Sequence, residues 1–169
     1  MAISMYAASV PVIRQMLNSL NEILHKAETH AAEKKIDPAA LLGARLYPDM
    51  FPLIRQVQIA SDFAKGIAAR LAGVEVPSYE DSEQSFAELR TRISTTLDFI
   101  DGLTAAQIDG SEEREIVLFP GTPREKKLSG LAYLLHYGMP QLFFHVTTAY
   151  AILRHNGLEI GKRDYIGRF

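Results

Sequence analysis

The stretch Leu53-Ile54-Arg55-Gln56-Val57-Gln58-Ile59-Ala60-Ser61-Asp62-Phe63-Ala64-Lys65-Gly66-Ile67-Ala68-Ala69-Arg70-Leu71-Ala72-Gly73 decides the reading of the fold. Leu53, Val57, Ala60, Ala64, Ile67 and Leu71 recur at spacings of 4, 3, 4, 3 and 4. That rhythm places them on one stripe of an α-helix. Ala60, Ala64 and Ala68 are small, so a neighbouring helix can approach closely there. Gly73 suits a left-handed C-terminal cap, and the helix is expected to begin near Asp49.

Working outward, Ile13, Leu17, Leu20, Leu24, Ala27 and Ala31 repeat the same rhythm upstream. Ser9 is the expected cap of that helix, with Pro11 in the first turn, where its missing N–H is harmless. Met5 to Ala8 reads as a helical lead-in that bends at this proline. Asp37-Pro38 reads as the cap and first position of a short helix through Leu42. Downstream, Phe86, Leu89, Ile93, Leu97, Ile100 and Leu103 line a helix expected from about Ser82. A last helix spans Ser129 to Arg154, with a kink or break at Gly138-Met139-Pro140. Before it, Glu115-Ile116-Val117-Leu118-Phe119 is β-like, Pro120-Gly121-Thr122-Pro123 signals a turn, and Lys126-Lys127-Leu128 can pair back. The tail carries three large apolar anchors, Ile160, Tyr165 and Phe169. Four amphipathic helices predict an all-α chain: an antiparallel four-helix bundle over residues 1–169 as a single domain, with a short hairpin or extended loop before the last helix. The long connections at 33–48 and 104–128 leave room for a crossover topology.

Composition narrows the function classes. Apolar residues make up 47% of the 169 positions, enough for a real core. No apolar run approaches the ~20 residues of a membrane span. The opening Met1-Ala2-Ile3-Ser4-Met5-Tyr6 lacks the basic and apolar regions of a secretory signal. Absence of cysteine removes disulfides, thiolate metal sites and cysteine nucleophiles, and makes the cytoplasm the expected location. The net charge of −2 and the short basic clusters, Lys34-Lys35, Arg124-Glu125-Lys126-Lys127 and Lys162-Arg163, argue against a nucleic-acid surface. Nothing resembles a serine nucleophile with a base, a phosphate loop or a dinucleotide fingerprint.

Several stretches carry a resemblance. They are Ser4-Met5-Tyr6-Ala7-Ala8-Ser9-Val10-Pro11, Pro48-Asp49-Met50-Phe51-Pro52 with Gln56-Val57-Gln58-Ile59-Ala60, and Ala64-Lys65-Gly66 with Arg70-Leu71-Ala72-Gly73. The most telling runs from Phe143-Phe144-His145-Val146-Thr147-Thr148-Ala149-Tyr150 to Asn156-Gly157 and on to Asp164-Tyr165. On these residues the chain resembles a domain-of-unknown-function family within the DinB/YfiT-like superfamily of four-helix bundles, a superfamily described as metalloenzymes. The resemblance implies a divalent ion, zinc or nickel, held by one histidine of the second helix and two of the last helix at i and i+4. Some members use the metal to activate a low-molecular-weight thiol for transfer or isomerisation. Laid on that pattern, His145 stands at the final histidine, Gln141 replaces the one before it, and the second helix offers Gln56, Gln58 and Asp62 instead of an imidazole. Amide oxygens are poor zinc or nickel ligands, so no bound metal or other cofactor is expected, with His145 the one ligand in place should a metal bind.

The candidate residues each have a plainer alternative. His145 can be a ligand, a general base, or a core histidine bonded to a neighbouring helix, the commonest fate of a lone histidine on an apolar face. Asp62 can act as a base or pair with Lys65 three residues on. Gln56, Gln58 and Gln141 can line a pocket or satisfy one another inside the bundle. Tyr150 and Tyr137 suit packing better than acid catalysis. His136 lies one turn before the kink, at the boundary, and His25, His30 and His155 have structural or solvated readings.

Two functional readings follow. One is a small-molecule-binding or dimerising bundle with a degenerate metal site. The other is a metal- or thiol-dependent transferase or hydrolase with altered ligands. A nucleic-acid stress factor, suggested only by the superfamily's association with DNA damage, is opposed by the charge balance. Phe143, Phe144, Ile152 and Ile59 lie outside the main stripes and predict a homodimer through exposed apolar helix surface.

Overall fold

A computed structural model describes residues 3–168. The chain is mostly helical, with one small two-stranded sheet. In order the elements are α1 (Met5–Lys34), α2 (Pro38–Leu42), α3 (Leu53–Ala72), α4 (Phe86–Asp101), α5 (Ala105–Ile108), β1 (Glu115–Leu118), β2 (Lys126–Ser129), α6 (Gly130–Tyr133), a π-helical stretch at Leu134–Gly138, α7 (Met139–His155) and α8 (Lys162–Ile166). No helix among the described residues is long and apolar enough to cross a membrane.

The predicted stripes are the core. Leu53, Val57, Ala60, Ala64, Ile67 and Leu71 are wholly buried on α3, as are Ile13, Leu17, Leu20, Leu24 and Ala27 on α1. α3 and α7 form the most extensive helix pair, followed by α1 with α4 and α3 with α4. α3 is therefore the central element.

The helix ends differ from expectation in instructive ways. α1 begins at Met5 and runs 30 residues through Pro11 without a break. Its cap is Ser4, whose hydroxyl accepts from the Ala7 N–H at 3.2 Å. Ser9 is not the cap: it is buried inside the helix and donates back to the Met5 carbonyl at 2.6 Å. α3 starts at Leu53, after Asp49, because the residue before a proline is steered to extended backbone, and Pro52 itself holds ψ at 168°. Its C-cap is Gly73 at φ 70°, as the sequence requires. α4 starts at Phe86, not Ser82: Ser85 accepts from the Glu88 N–H, and Glu88 reaches back to the Gln84 N–H. α2 is capped by Asp37 as read, with Asp37 accepting from Ala39 N–H at 3.0 Å.

The hairpin forms in the expected place, pairing Glu115 with Ser129 and Leu118 with Lys126. Ser129 then caps α6. Pro140 does not break the last helix. The chain inserts a π turn just before it, and the Met139 N–H reaches the Leu134 carbonyl five residues back. The wider ladder accommodates a proline that offers no donor. The tail lies along α1: Gln15 donates to the Ile166 carbonyl, and Lys26 pairs with Asp164. Ile160 is buried and Tyr165 partly so, while Phe169 lies outside the described residues.

Gly138 sits in the π turn directly against α3. A Cβ added there would fall 2.7 Å from Cγ1 of the wholly buried Ile67. Gly138→Ala is expected to destabilise the fold by about 1–3 kcal/mol through overpacking, measured as a lower urea midpoint with an unchanged slope.

Candidate functional site

α3 and α7 meet face to face, and their polar contact is a single buried pair. His145 of α7 is 7% exposed. Its Nδ1 lies 2.7 Å from Oε1 of Gln56 on α3. The Gln56 amide nitrogen donates to the Phe51 carbonyl at 3.1 Å, so its oxygen faces the imidazole and can only accept. Nδ1 therefore carries the hydrogen. Nε2 keeps its lone pair and finds no hydrogen-bond partner among the described residues. Phe63 stacks on the imidazole at 5.8 Å and Phe144 meets it edge-on at 5.2 Å. Burial, with the Arg55 charge adding to it, lowers the His145 pKa to about 4. The imidazole is a neutral, tautomer-fixed acceptor in an aromatic niche.

The other polar residues of α3 are drawn elsewhere. Gln58 is buried, yet it points away from Gln56, as positions two apart on a helix must. It donates to Glu83 at 2.8 Å and accepts from Arg55. Asp62 does pair with Lys65, at 2.8 Å, and also accepts from Arg92 at 2.9 Å. Arg92 is almost wholly buried and bonds Glu83 and Asp81 as well. Burial opposes charge on Glu83, but hydrogen bonds from Arg92 and Gln58 outweigh it and hold the carboxyl below the usual range. With Arg55 pairing Asp81, three cations (Arg55, Lys65, Arg92) meet three carboxylates (Asp62, Asp81, Glu83). The network ties α3 to α4 and engages Oδ1 of Asp62 with two cations.

Gln141 is half-buried one turn before His145 and joins neither Gln56 nor His145 by a hydrogen bond. Tyr150 lies further along α7, its ring 6.0 Å from Tyr165, where it helps seat α8. His136 is exposed.

On the far side of Phe63 a cavity of about 210 Å³ opens between α3, the end of β1 and the π turn. Arg70, Tyr133, Tyr137 and Phe119 are among its walls. Sequence reasoning passed over it. The available signal was a stripe: Gln56, Phe63 and Arg70 are seven residues apart, which stacks them on one face of α3 at intervals of about two turns.

A family match spans residues 5–166, over nearly the whole chain, and that family is described as a domain of unknown function, DUF1993. The chain belongs to the DUF1993 family. It is also similar to a DinB family member protein from Shewanella denitrificans, known from a crystal structure at 1.83 Å resolution: 44% identity, over 97% of this chain and 92% of that one, with a TM-score of 0.90. No curated protein matches. The DinB-like resemblance read from the sequence is thus correct.

The residues of this DUF1993 chain do not fit the superfamily's three-histidine metal site. Two donors on one zinc, each at ~2.0–2.1 Å, stand roughly 3.3 Å apart in a tetrahedron. Nδ1 of His145 and Oε1 of Gln56 are 2.7 Å apart and joined by a hydrogen bond, too close to be two ligands of one ion, which leaves Nε2 as the one imidazole lone pair at this position. Among the described residues no group of three or more histidine and carboxylate side chains is placed to hold an ion.

The low His145 pKa fixes a pH dependence. Well above pH 6.5 the imidazole is neutral in both folded and unfolded chains. As pH falls from 6.5 to about 4, the unfolded chain takes up the proton and the folded chain does not, so stability drops and then levels off. The loss is on the order of 3 kcal/mol. Urea denaturation at about pH 7 and about pH 5 should show a larger drop for the wild type than for His145→Gln. Equal drops would mean that His145 titrates normally.

Proposed function

We propose that this DUF1993 chain is a small-molecule-binding protein of the DinB type, an antiparallel four-helix bundle whose metal position has become a hydrogen-bonded amide–imidazole niche. The observation that carries this reading is the Gln56–His145 bond. It uses two of the residues that fall at or near the superfamily's ligand positions to satisfy each other. What remains is a neutral Nε2 lone pair among aromatic rings, the ordinary furniture of a ligand pocket. Catalysis is the weaker reading. An imidazole with a pKa of about 4 is a poor general base at neutral pH, and the one nearby carboxylate, Asp62, is held by Lys65 and Arg92. The chain lacks cysteine, in keeping with a cytoplasmic home.

The test is to restore what the sequence has lost. Wild-type protein, purified without a histidine tag, should hold much less than one equivalent of zinc or nickel after dialysis. Gln56→His combined with Gln141→His should raise the affinity for either ion by roughly a hundredfold or more in calorimetric titration, because imidazoles replace amides. One equivalent retained by the wild type and lost in His145→Ala would return the protein to the metalloenzymes.

The second element of the proposal is a homodimer. Phe144 and Phe51 are each 56% exposed and flank the Gln56–His145 pair, while Leu131 and Leu135 are also exposed. Ile152, anticipated from the sequence as part of such a surface, is instead wholly buried in the core. A surface this apolar favours self-association. Light scattering should give a dimer at tens of micromolar (~10–100 µM), and Phe144→Glu should convert it to monomer with unchanged helicity. A wild-type monomer at that concentration would reject the dimer.

A further inference from the structure

Arg70 is the one cation lining the cavity beyond Phe63, and it has no carboxylate partner among the described residues. The contrast with Arg55, Lys65 and Arg92, all paired, is sharp. Its Nη1 donates to the Tyr133 hydroxyl at 3.3 Å, which leaves the other guanidinium donors unspent. Tyr133 is 1% exposed. Burial raises its pKa, so the hydroxyl keeps its proton. Since that oxygen accepts from Arg70, its own O–H is free to donate, and no protein acceptor for it is found among the described residues.

The arrangement is built into α3. Gly66, one turn before Arg70, leaves room for the guanidinium to lie back along the helix: a Cβ there would fall 2.5 Å from Nη1. Asp62, the one carboxylate in the lining, is eight residues from Arg70, about 12 Å along the axis. It is neutralised by Lys65 and Arg92. Apolar walls complete the site. Phe63 and Tyr137 meet edge to face at 5.9 Å. Phe119 closes the rim from the end of β1, held at φ 51°, a left-handed conformation rare for a bulky residue.

We propose that this cavity binds a small organic anion: a carboxylate received by Arg70 and the Tyr133 hydroxyl, carried on one aromatic ring or apolar group of similar size lodged against Phe63, Tyr137 and Phe119. A guanidinium and a hydroxyl 3.3 Å apart in one cavity wall suit the two oxygens of a carboxylate. The volume of about 210 Å³ is below the ~300 Å³ at which drug-sized pockets begin, and so limits the ligand to about one ring. The inference rests on the small-molecule-binding reading but uses a site next to His145, not His145 itself.

Benzoate and its neutral counterpart benzamide are the probes. Followed by calorimetry and by backbone amide NMR, benzoate should saturate with a Kd of about 1 mM or tighter, shifting Gly66, Arg70, Tyr133 and Tyr137. Benzamide should bind at least about tenfold more weakly, and Arg70→Gln should weaken benzoate by at least about tenfold, the worth of a charge-assisted bond. Gly66→Ala should do the same while keeping the charge, since it only displaces the guanidinium. Lys34→Gln, which removes an exposed cation at the end of α1, should leave benzoate binding within about twofold. Benzamide binding as well as benzoate would overturn the anion site and leave small-molecule binding standing. Benzoate affinity unchanged in both Arg70→Gln and Gly66→Ala, or no saturation with benzoate at all, would also overturn it.

Discussion

Ala60, Ala64 and Ala68 strip one side of α3 of bulk, and Gly138 does the same where the last helix crosses Ile67. Two helices that meet over small residues come close, and a polar group held between them costs less when it is partnered. The one imidazole at that contact is bonded across it. Gln56 supplies the acceptor, and the Phe51 carbonyl fixes which way the amide points. The rest of the site is arranged around that contact: Phe63 and Phe144 cover the imidazole, and burial keeps it neutral.

α3 carries two kinds of chemistry on different faces. The side toward α4 is a balanced ion network around the buried Arg92 and Lys65. Breaking such a pair leaves a charge stranded in a low-dielectric interior, so the network is rigid rather than reactive. The side toward α7 and the hairpin is mostly aromatic, with isolated polar atoms that are not fully spent: Nε2 of His145, the guanidinium of Arg70, the hydroxyl of Tyr133. Unspent donors and acceptors beside apolar walls are what a ligand recognises.

Much of the architecture was legible because burial writes itself into spacing. The stripes on α1, α3 and α4 read directly, as did Asp37 capping α2, Gly73 ending α3 and the hairpin at Glu115–Ser129. The starts of α1 and α4 were less so. A serine can cap a helix or bond back within it, and Ser4, Ser9, Ser82 and Ser85 differ only in what surrounds them. Of the site, His145 with a glutamine opposite was visible through the family pattern, although the choice between Gln56 and Gln58 depended on a helix register that only the packing settles. The cavity at Arg70 was not visible. It depends on a hairpin tip and a π turn being brought to α3 from 48 and more residues away, and no local pattern encodes that juxtaposition.

The π turn also sets the angular phase of the last helix. Tyr133 and His145 are twelve residues apart; in an unbroken α-helix, at ~100° per residue, they would point about 120° away from each other. The widened turn at Leu134–Gly138 absorbs roughly one residue of rotation and brings them to within about 20°. That is why Tyr133 and Tyr137 can wall the cavity while His145 stacks on the same Phe63. Removing a single residue from the turn would swing one set of rings off α3 while leaving the composition of the helix almost unchanged. For relatives of this chain, the length of the segment between the hairpin and His145 thus matters as much as the identity of its residues. An alignment that closes a one-residue gap there would compare side chains that face different ways.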